Sequence, residues 1–370
     1  MNLPTGPATR STVTGAGEVR VSCAVMAHPR RAAAATALAA SLPELDATVV
    51  LDPDPDGPPA TLRTAAEAWA AVPDGATHHV VLQDDATPCA GFAEALQGLL
   101  GLRPDLPISL HTEWGSGSAT MVRWAALSGG GLVRCVDEYV PTVGLVLPAR
   151  LARELGEFAR TWPDRELPDD VAVARFLAEK GVPPYVASPN LVEHDGDLSL
   201  VGNGGPMGIR RSPCLRLPGD GPQRADLLEA PGLVPIISAP KARAVVMCWD
   251  TAGQRHAGYT TLRPELERAG VAHQDVVAAL DKWLASAAGD RLEAALGYGF
   301  LHETWVAAVA LAVFAPGRAG ADPVAGLGLR ALETVAPGGL RTLVPATVSG
   351  TSLRADLAAL VRDGFALRGA

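Results

Sequence analysis

"VVLQDDATP", Val80 to Pro88, is the stretch on which the fold turns. With Thr77, His78 and His79 ahead of it, the apolar run reads as a buried strand that ends on Gln83, Asp84 and Asp85 before Pro88 stops it. Adjacent carboxylates repel each other and are costly to bury unpaired, so a positive partner is expected at this strand end. A divalent metal is the natural candidate. The competing reading is simple capping, because Asp starts turns and Ala86 to Cys89 leads toward a helical stretch.

Working back toward the N-terminus, "VRVSCAVMA" (Val19 to Ala27) reads as a strand, "RRAAAATALAASL" as a helix, "ATVVLD" as a strand ending in Asp52, and "TLRTAAEAWAAV" as a helix. The pattern is βαβαβ. Such units form parallel sheets covered by helices, with ligands at the carboxyl ends of the strands. Asp52, the "AHPRR" turn with Arg30 and Arg31, and the Asp84/Asp85 pair all fall at such ends.

Going forward, "AGFAEALQGLLGL" reads as a helix and "PISLH" as a short strand, while the glycine-rich "TEWGSGSATMVRW" (Thr112 to Trp124) reads as a mobile loop. "GGGLVRCVDEYVPTVGLVLP" reads as strands, followed by helices at Ala149 to Arg160 and Val171 to Lys180. Gly and Pro crowd the chain from Gly202 to about Pro240, the mark of a linker, and beyond Lys241 one strand, "ARAVVMCWD", precedes Ala- and Leu-rich helices.

The 370 residues, 48% of them hydrophobic, are enough for about two domains with cores of their own. A net charge of -9 argues against a nucleic-acid partner, which would need clustered Lys and Arg. Five scattered cysteines, none in a CxxC pair, signal neither a disulfide framework nor a zinc site, and fit a reducing cytoplasm. The N-terminal stretch lacks the apolar core of a signal peptide, and "WVAAVALAVFA" from Trp305 falls short of the roughly 20 residues that span a bilayer, so a soluble protein is expected. Only three lysines accompany the arginines, and Ala, Gly and Pro abound, as in a GC-rich bacterial genome.

"LQDDATP" resembles the EDD or DxD signature of nucleotide-sugar glycosyltransferases of the GT-A fold, in which an acid after the central strand holds a divalent metal against the sugar diphosphate. "SPNLVEHDGDLSLVGN", Ser188 to Asn203, is similar to the stretch that closes the catalytic domain in several of these families, where a His completes the metal site. The resemblance covers about Val19 to Gly205. It implies a mixed, Rossmann-like α/β sheet flanked by helices, with Mn²⁺ or Mg²⁺ bound by Asp85 and His194 and supported by Asp84. In it, Gln83 would hold a metal-bound water or a sugar hydroxyl, although the family usually has an acid at that position.

Asp52 resembles the acid that reads base or ribose, with Arg30 or Arg31 meeting the base or a phosphate. In "WPDRELPDDVAVARFLAEKG" the resemblance places the catalytic base of an inverting transfer at Asp170, with Asp169 second; helix capping is the plainer account of the same residues. Arg210 and Arg211, in "GNGGPMGIRRS", would close on the diphosphate as a lid, or else belong to an ordinary basic linker.

The expected organisation is a flexible N-terminus (1–18), a GT-A catalytic domain (19–205), a linker or lid (206–240) and a smaller, mainly helical domain (241–370). The expected activity is transfer of a hexose from a UDP-linked donor to a hydroxyl or amine of a glycan, peptide or small molecule. Two alternatives are a nucleotidyltransferase, which usually has a glycine-rich basic loop that "MAHPRRAAAA" lacks, and a glycosyltransferase-like scaffold without turnover, for which Gln83 speaks.

Overall fold

The computed structural model describes residues 18–164, 166–195, 208–238, 241–317, 326–342 and 351–367. Its first five elements are β1 (Val21–Ala27), α1 (Ala32–Ala40), β2 (Thr48–Leu51), α2 (Thr61–Ala70) and β3 (His78–Gln83), with β1 parallel to both β2 and β3. This is the expected βαβαβ unit. β4 (Ala86–Pro88), α3 (Phe92–Leu102), β5 (Ile108–Ser109), α4 (Gly117–Leu127), β6 (Gly131–Arg134) and β7 (Gly144–Pro148) follow, then α5 (Ala149–Thr161), α6 (Asp169–Lys180), β8 (Tyr185–Ser188) and β9 (Val192–His194). β7 lies antiparallel beside β3, and β10 (Leu227–Leu228) extends the far edge. Among the described residues, the result is one mixed sheet of eight strands in the order β10-β6-β8-β5-β7-β3-β1-β2.

Side chains alternate across a strand, so successive residues of β3 feed opposite layers. Val80 and Leu82 pack with Leu38 of α1 and Leu96 and Leu99 of α3. Val81 faces the other way, with Trp69 of α2, Leu155 of α5 and Phe176 of α6. Both faces are therefore covered, which is why these strands read as continuous apolar runs.

Two local readings change. The stretch Thr112 to Trp124 is no mobile loop: from Gly117 it forms the buried helix α4. Ser116 accepts the Ala119 N–H, and the Asp137 carboxylate accepts those of Gly117 and Ser118. These contacts satisfy the orphan donors of the first turn and outweigh the poor helix propensity of Gly and Ser. Small residues are needed there for packing; a Cβ on Gly117 would lie 2.7 Å from the Met247 side chain. Likewise, Ala86 to Pro88 does not start a helix but forms β4, which pairs antiparallel with β9.

The second half opens with a separate antiparallel sheet of β11 (Leu233–Ser238), β12 (Arg243–Asp250) and β13 (Arg255–Thr261), where the sequence suggests a single strand. β11 was hidden because Pro235 resembles linker composition; it lies in an edge strand, where a missing N–H is tolerated. β13 was hidden because none of its residues is buried.

Helices α7 (Leu262–Arg268), α8 (His273–Leu284), α9 (Ala287–Leu296), α10 (Tyr298–Val313), α11 (Gly326–Leu332), α12 (Val335–Leu340) and α13 (Thr351–Ala366) complete the helical C-terminal region. α10 is apolar nearly all round and sits at its centre. One hydrophobic cluster joins this region to the main sheet, running from Met121 and Trp124 through Val246 to Trp305 and Leu360. The Trp124 indole also donates to the Leu311 carbonyl at 2.8 Å. Among the described residues no single helix is long and apolar enough to cross a membrane.

Candidate functional site

The parallel pairing of β1 with β3 brings the turn after β1 beside the acids after β3. Arg31 Nη1 donates to Asp84 Oδ1 at 2.9 Å and to Asp85 Oδ2 at 3.1 Å. One guanidinium thus bridges the two carboxylates, which explains how adjacent acids are accommodated at the end of an interior strand. The β4–β9 ladder then sets Ala86 opposite His194, so that His194 Nε2 lies 3.4 Å from Asp85 Oδ2. Burial by itself would raise the Asp85 pKa, but His194 and Arg31 outweigh it and hold the carboxyl down to about 2. Asp84 is shifted up, by burial and by the neighbouring Asp85 charge, against the pull of Arg31.

Arg210 Nη2 lies 3.1 Å from His194 Nε2. That nitrogen can accept from Arg210 or donate to Asp85, not both at once.

The fit to a hard cation is specific but partial. Asp85 Oδ1 is buried without a hydrogen-bond partner, the condition of an oxygen that lacks a cation. The 3.4 Å between Asp85 Oδ2 and His194 Nε2 is close to the roughly 3 Å between two cis ligands of an octahedral ion with bonds of about 2.1 Å. No group of three or more His, Cys, Asp or Glu is placed to hold a metal among the described residues. An ion here would take two protein ligands and draw the rest from substrate oxygens and water, as Mg²⁺ commonly does.

Asp170 opens α6, yet neither it nor Asp169 caps the helix: the N-cap position is Pro168, and no side chain caps it. Asp170 Oδ1 accepts the adjacent Val171 N–H, at 2.7 Å, while the Asp169 N–H is taken by the Thr61 hydroxyl. Burial, then the charge of Asp169, push the Asp170 pKa up to about 7, although Arg210 pulls the other way. A helix N-terminus favours an ionised acid, so desolvation and the like charge win over the dipole here. Arg210 is felt by Asp170 and touches His194, which places the two on neighbouring walls.

Other expected residues are engaged elsewhere. Asp52 receives two hydrogen bonds from Arg63, at 2.7 and 2.8 Å, which hold its pKa below the ordinary value; that pairing competes with reading a ribose. Arg30 is exposed, Gln83 Nε2 donates to Thr142 Oγ1 at 3.2 Å, and Arg211 faces Asp195 at 3.4 Å. The proposed lid is pinned where it is described: Trp114 donates through its backbone to Arg211 O and through its indole to Ile209 O. Its first residues, 202–207, lie outside the described residues.

Several site residues escaped the sequence reading. Buried Glu193 accepts from the N–H and hydroxyl of Ser212 and so anchors the Arg210 segment. His111 packs 6.1 Å from His194, and burial drives its pKa down to about 3, so it is neutral. Its position directly after the β5 stretch, like that of the acids after β3, was the available signal. Tyr139 is pushed well up by burial and by the surrounding Asp137 and Glu113, with Asp170 adding to the effect. No protein-family model matches this chain, and no curated protein matches it.

Proposed function

We propose that this protein is a bacterial, metal-dependent glycosyltransferase of the GT-A type, moving a hexose from a UDP-linked donor to an acceptor hydroxyl or amine with inversion. The observation that carries the reading is the contact between Asp85 and His194, made at the carboxyl ends of the parallel strands where this architecture collects ligands. The order of strands supports it too: three parallel strands followed by an antiparallel neighbour, with the acids at the end of the third.

Asp85 and His194 would hold Mn²⁺ or Mg²⁺, whose charge offsets that of the departing diphosphate. Arg31 bridges Asp84 and Asp85 and holds the two carboxylates in place. Arg210, released from His194, would meet the diphosphate oxygens. In the transfer the acceptor oxygen forms its bond to the anomeric carbon as the bond to the diphosphate breaks, and its proton passes to Asp170. A carboxylate with a pKa near the working pH is well matched to that role.

Hydrolysis of UDP-sugars with and without Mn²⁺, after a thermal-shift screen of nucleotide sugars, tests the reading. Metal-stimulated release of UDP supports it. Stabilisation by UDP-sugar without any turnover would instead favour the scaffold alternative, to which the engagement of Gln83 by Thr142 lends weight.

A further inference from the structure

Beyond this site, a cavity of about 880 Å³ opens between α6 and the β12–β13 hairpin. Its volume is that of a small-molecule pocket. Arg134 forms part of its wall and is only 7% exposed. The guanidinium stands 5.9 Å from the Tyr185 ring centre and 5.8 Å from that of Trp249. Among the described residues, its one hydrogen bond runs from Nη1 to the Pro184 carbonyl at 3.2 Å, and its Nε has no partner. No carboxylate pairs with it among the described residues; Glu229 is near, but it accepts from the Tyr185 hydroxyl.

The contrast with Arg123 is instructive. That residue is equally buried, yet it donates to the carbonyls of Trp114, Ala331 and Thr334 and ties α4 to the helical region. Arg123 is a satisfied structural cation, whereas Arg134 is a buried charge without a counter-ion, which is expensive to maintain. Burial pushes the pKa of both arginines down, so the difference between them lies in their hydrogen bonds. Two more polar atoms of the same cavity wall, the donor Trp249 Nε1 and the ring nitrogen His256 Nε2, are buried without partners among the described residues.

We infer that this cavity binds a small amphipathic carboxylic acid, its carboxylate supplying the missing counter-ion of Arg134 and its apolar body lying against Ala174, Leu177, Ala178 and Val182. A carboxylate suits the cavity better than phosphate. Arg134, Arg175 and Arg255 line it together with Asp137, Glu138 and Glu229, so the formal charge of these groups is balanced, and a monoanion adds less uncompensated charge than phosphate would. The inference stands on the cavity alone and does not require the transferase reading.

The test is calorimetric titration and thermal shift of the full chain with benzoate and octanoate, against benzamide, octanamide and inorganic phosphate. At a hundredfold excess over Kd, at least one carboxylate should raise the Tm by about 3 °C, and its amide should bind at least tenfold more weakly. Arg134→Met should abolish that binding. Ala178→Trp, which fills the cavity without touching the arginine, should do the same in a chain whose circular dichroism is unchanged, so the idea remains testable even if the arginine variant does not fold. Failure of both carboxylates to bind, equal binding of acid and amide, preference for phosphate, or full binding in Ala178→Trp would each overturn it.

Discussion

Asp84 and Asp85 at the end of β3, and Asp169 and Asp170 at the start of α6, are the same dipeptide in two settings. The first pair meets a cation and an imidazole: Arg31 spans both carboxylates and the His194 ring touches the second, and Asp85 is held down to about 2. Among the described residues the second pair meets no comparable cation. Arg210 acts on Asp170 only weakly against burial and Asp169, and Asp170 rises to about 7. At neutral pH Asp85 is a fixed negative charge and Asp170 is poised to take up or release a proton. Environment, not residue type, divides the labour between binding and proton transfer.

The largest expected effect of breaking the contrast is on turnover. Asp170→Asn retains size and polarity but removes the basic oxygen, so kcat should fall about 100-fold or more, about 2.7 kcal/mol of transition-state stabilisation, with donor affinity nearly unchanged. In the wild type kcat should climb as pH rises through about 7, because the carboxylate form is the active one. Near-normal turnover in the variant, or a product that retains the donor's anomeric configuration, would falsify the base assignment.

Next comes the binding side. Asp85→Ala and His194→Ala should each lose the extra thermal stabilisation that UDP gains from Mn²⁺, a loss of tenfold or more in metal-dependent affinity. Unaltered metal-dependent UDP binding in both variants would remove these residues from the metal site. Arg31→Met should also cost about 1 to 3 kcal/mol of folding stability, since it leaves two partly buried carboxylates facing each other without their shared cation. Urea denaturation at pH 7 measures this, and a variant as stable as wild type would show that Arg31 does not neutralise the pair.

A smaller effect appears in the pH dependence of stability, where the two pairs act with opposite sign. Asp85 has a folded pKa below its ordinary 3.8, so its contribution is present above about pH 4 and fades as the pH falls toward 2. Asp170 has a raised folded pKa, so its contribution is full below about pH 4 and is lost as the pH rises through 7. Asp170→Asn should therefore stabilise the fold by about 1 kcal/mol at pH 8 while having little effect at pH 4, a gain bought with activity. Equal Tm differences at the two pH values would show that Asp170 is not strained by its charge. The smallest change is expected for Arg211→Ala, whose partner Asp195 is itself half exposed: within about 0.5 kcal/mol of wild type in the same urea experiment.

The continuous apolar runs that mark β1, β2 and β3, and the apolar-rich stretches of α2 and α3 between and after them, are local properties, so the βαβαβ unit was legible from residue order alone. So was the placement of Asp52, Arg31, Asp84 and Asp85 at strand ends, because parallel pairing leaves little choice of edge. By contrast, α4 was misread because its helix start depends on Asp137, which comes from beyond the next strand. β13 was missed because it carries no buried side chain to mark it.

Adjacent aspartates in the sequence announce only that charge must be managed. How it is managed was decided by tertiary structure: Arg31 arrives through the β1–β3 pairing, His194 through the β4–β9 ladder, and among the described residues no carboxylate pairs with Arg134. A pKa or an unmet counter-ion depends on burial and on the distance between groups remote along the chain. Neither quantity exists until the sheet has brought them together.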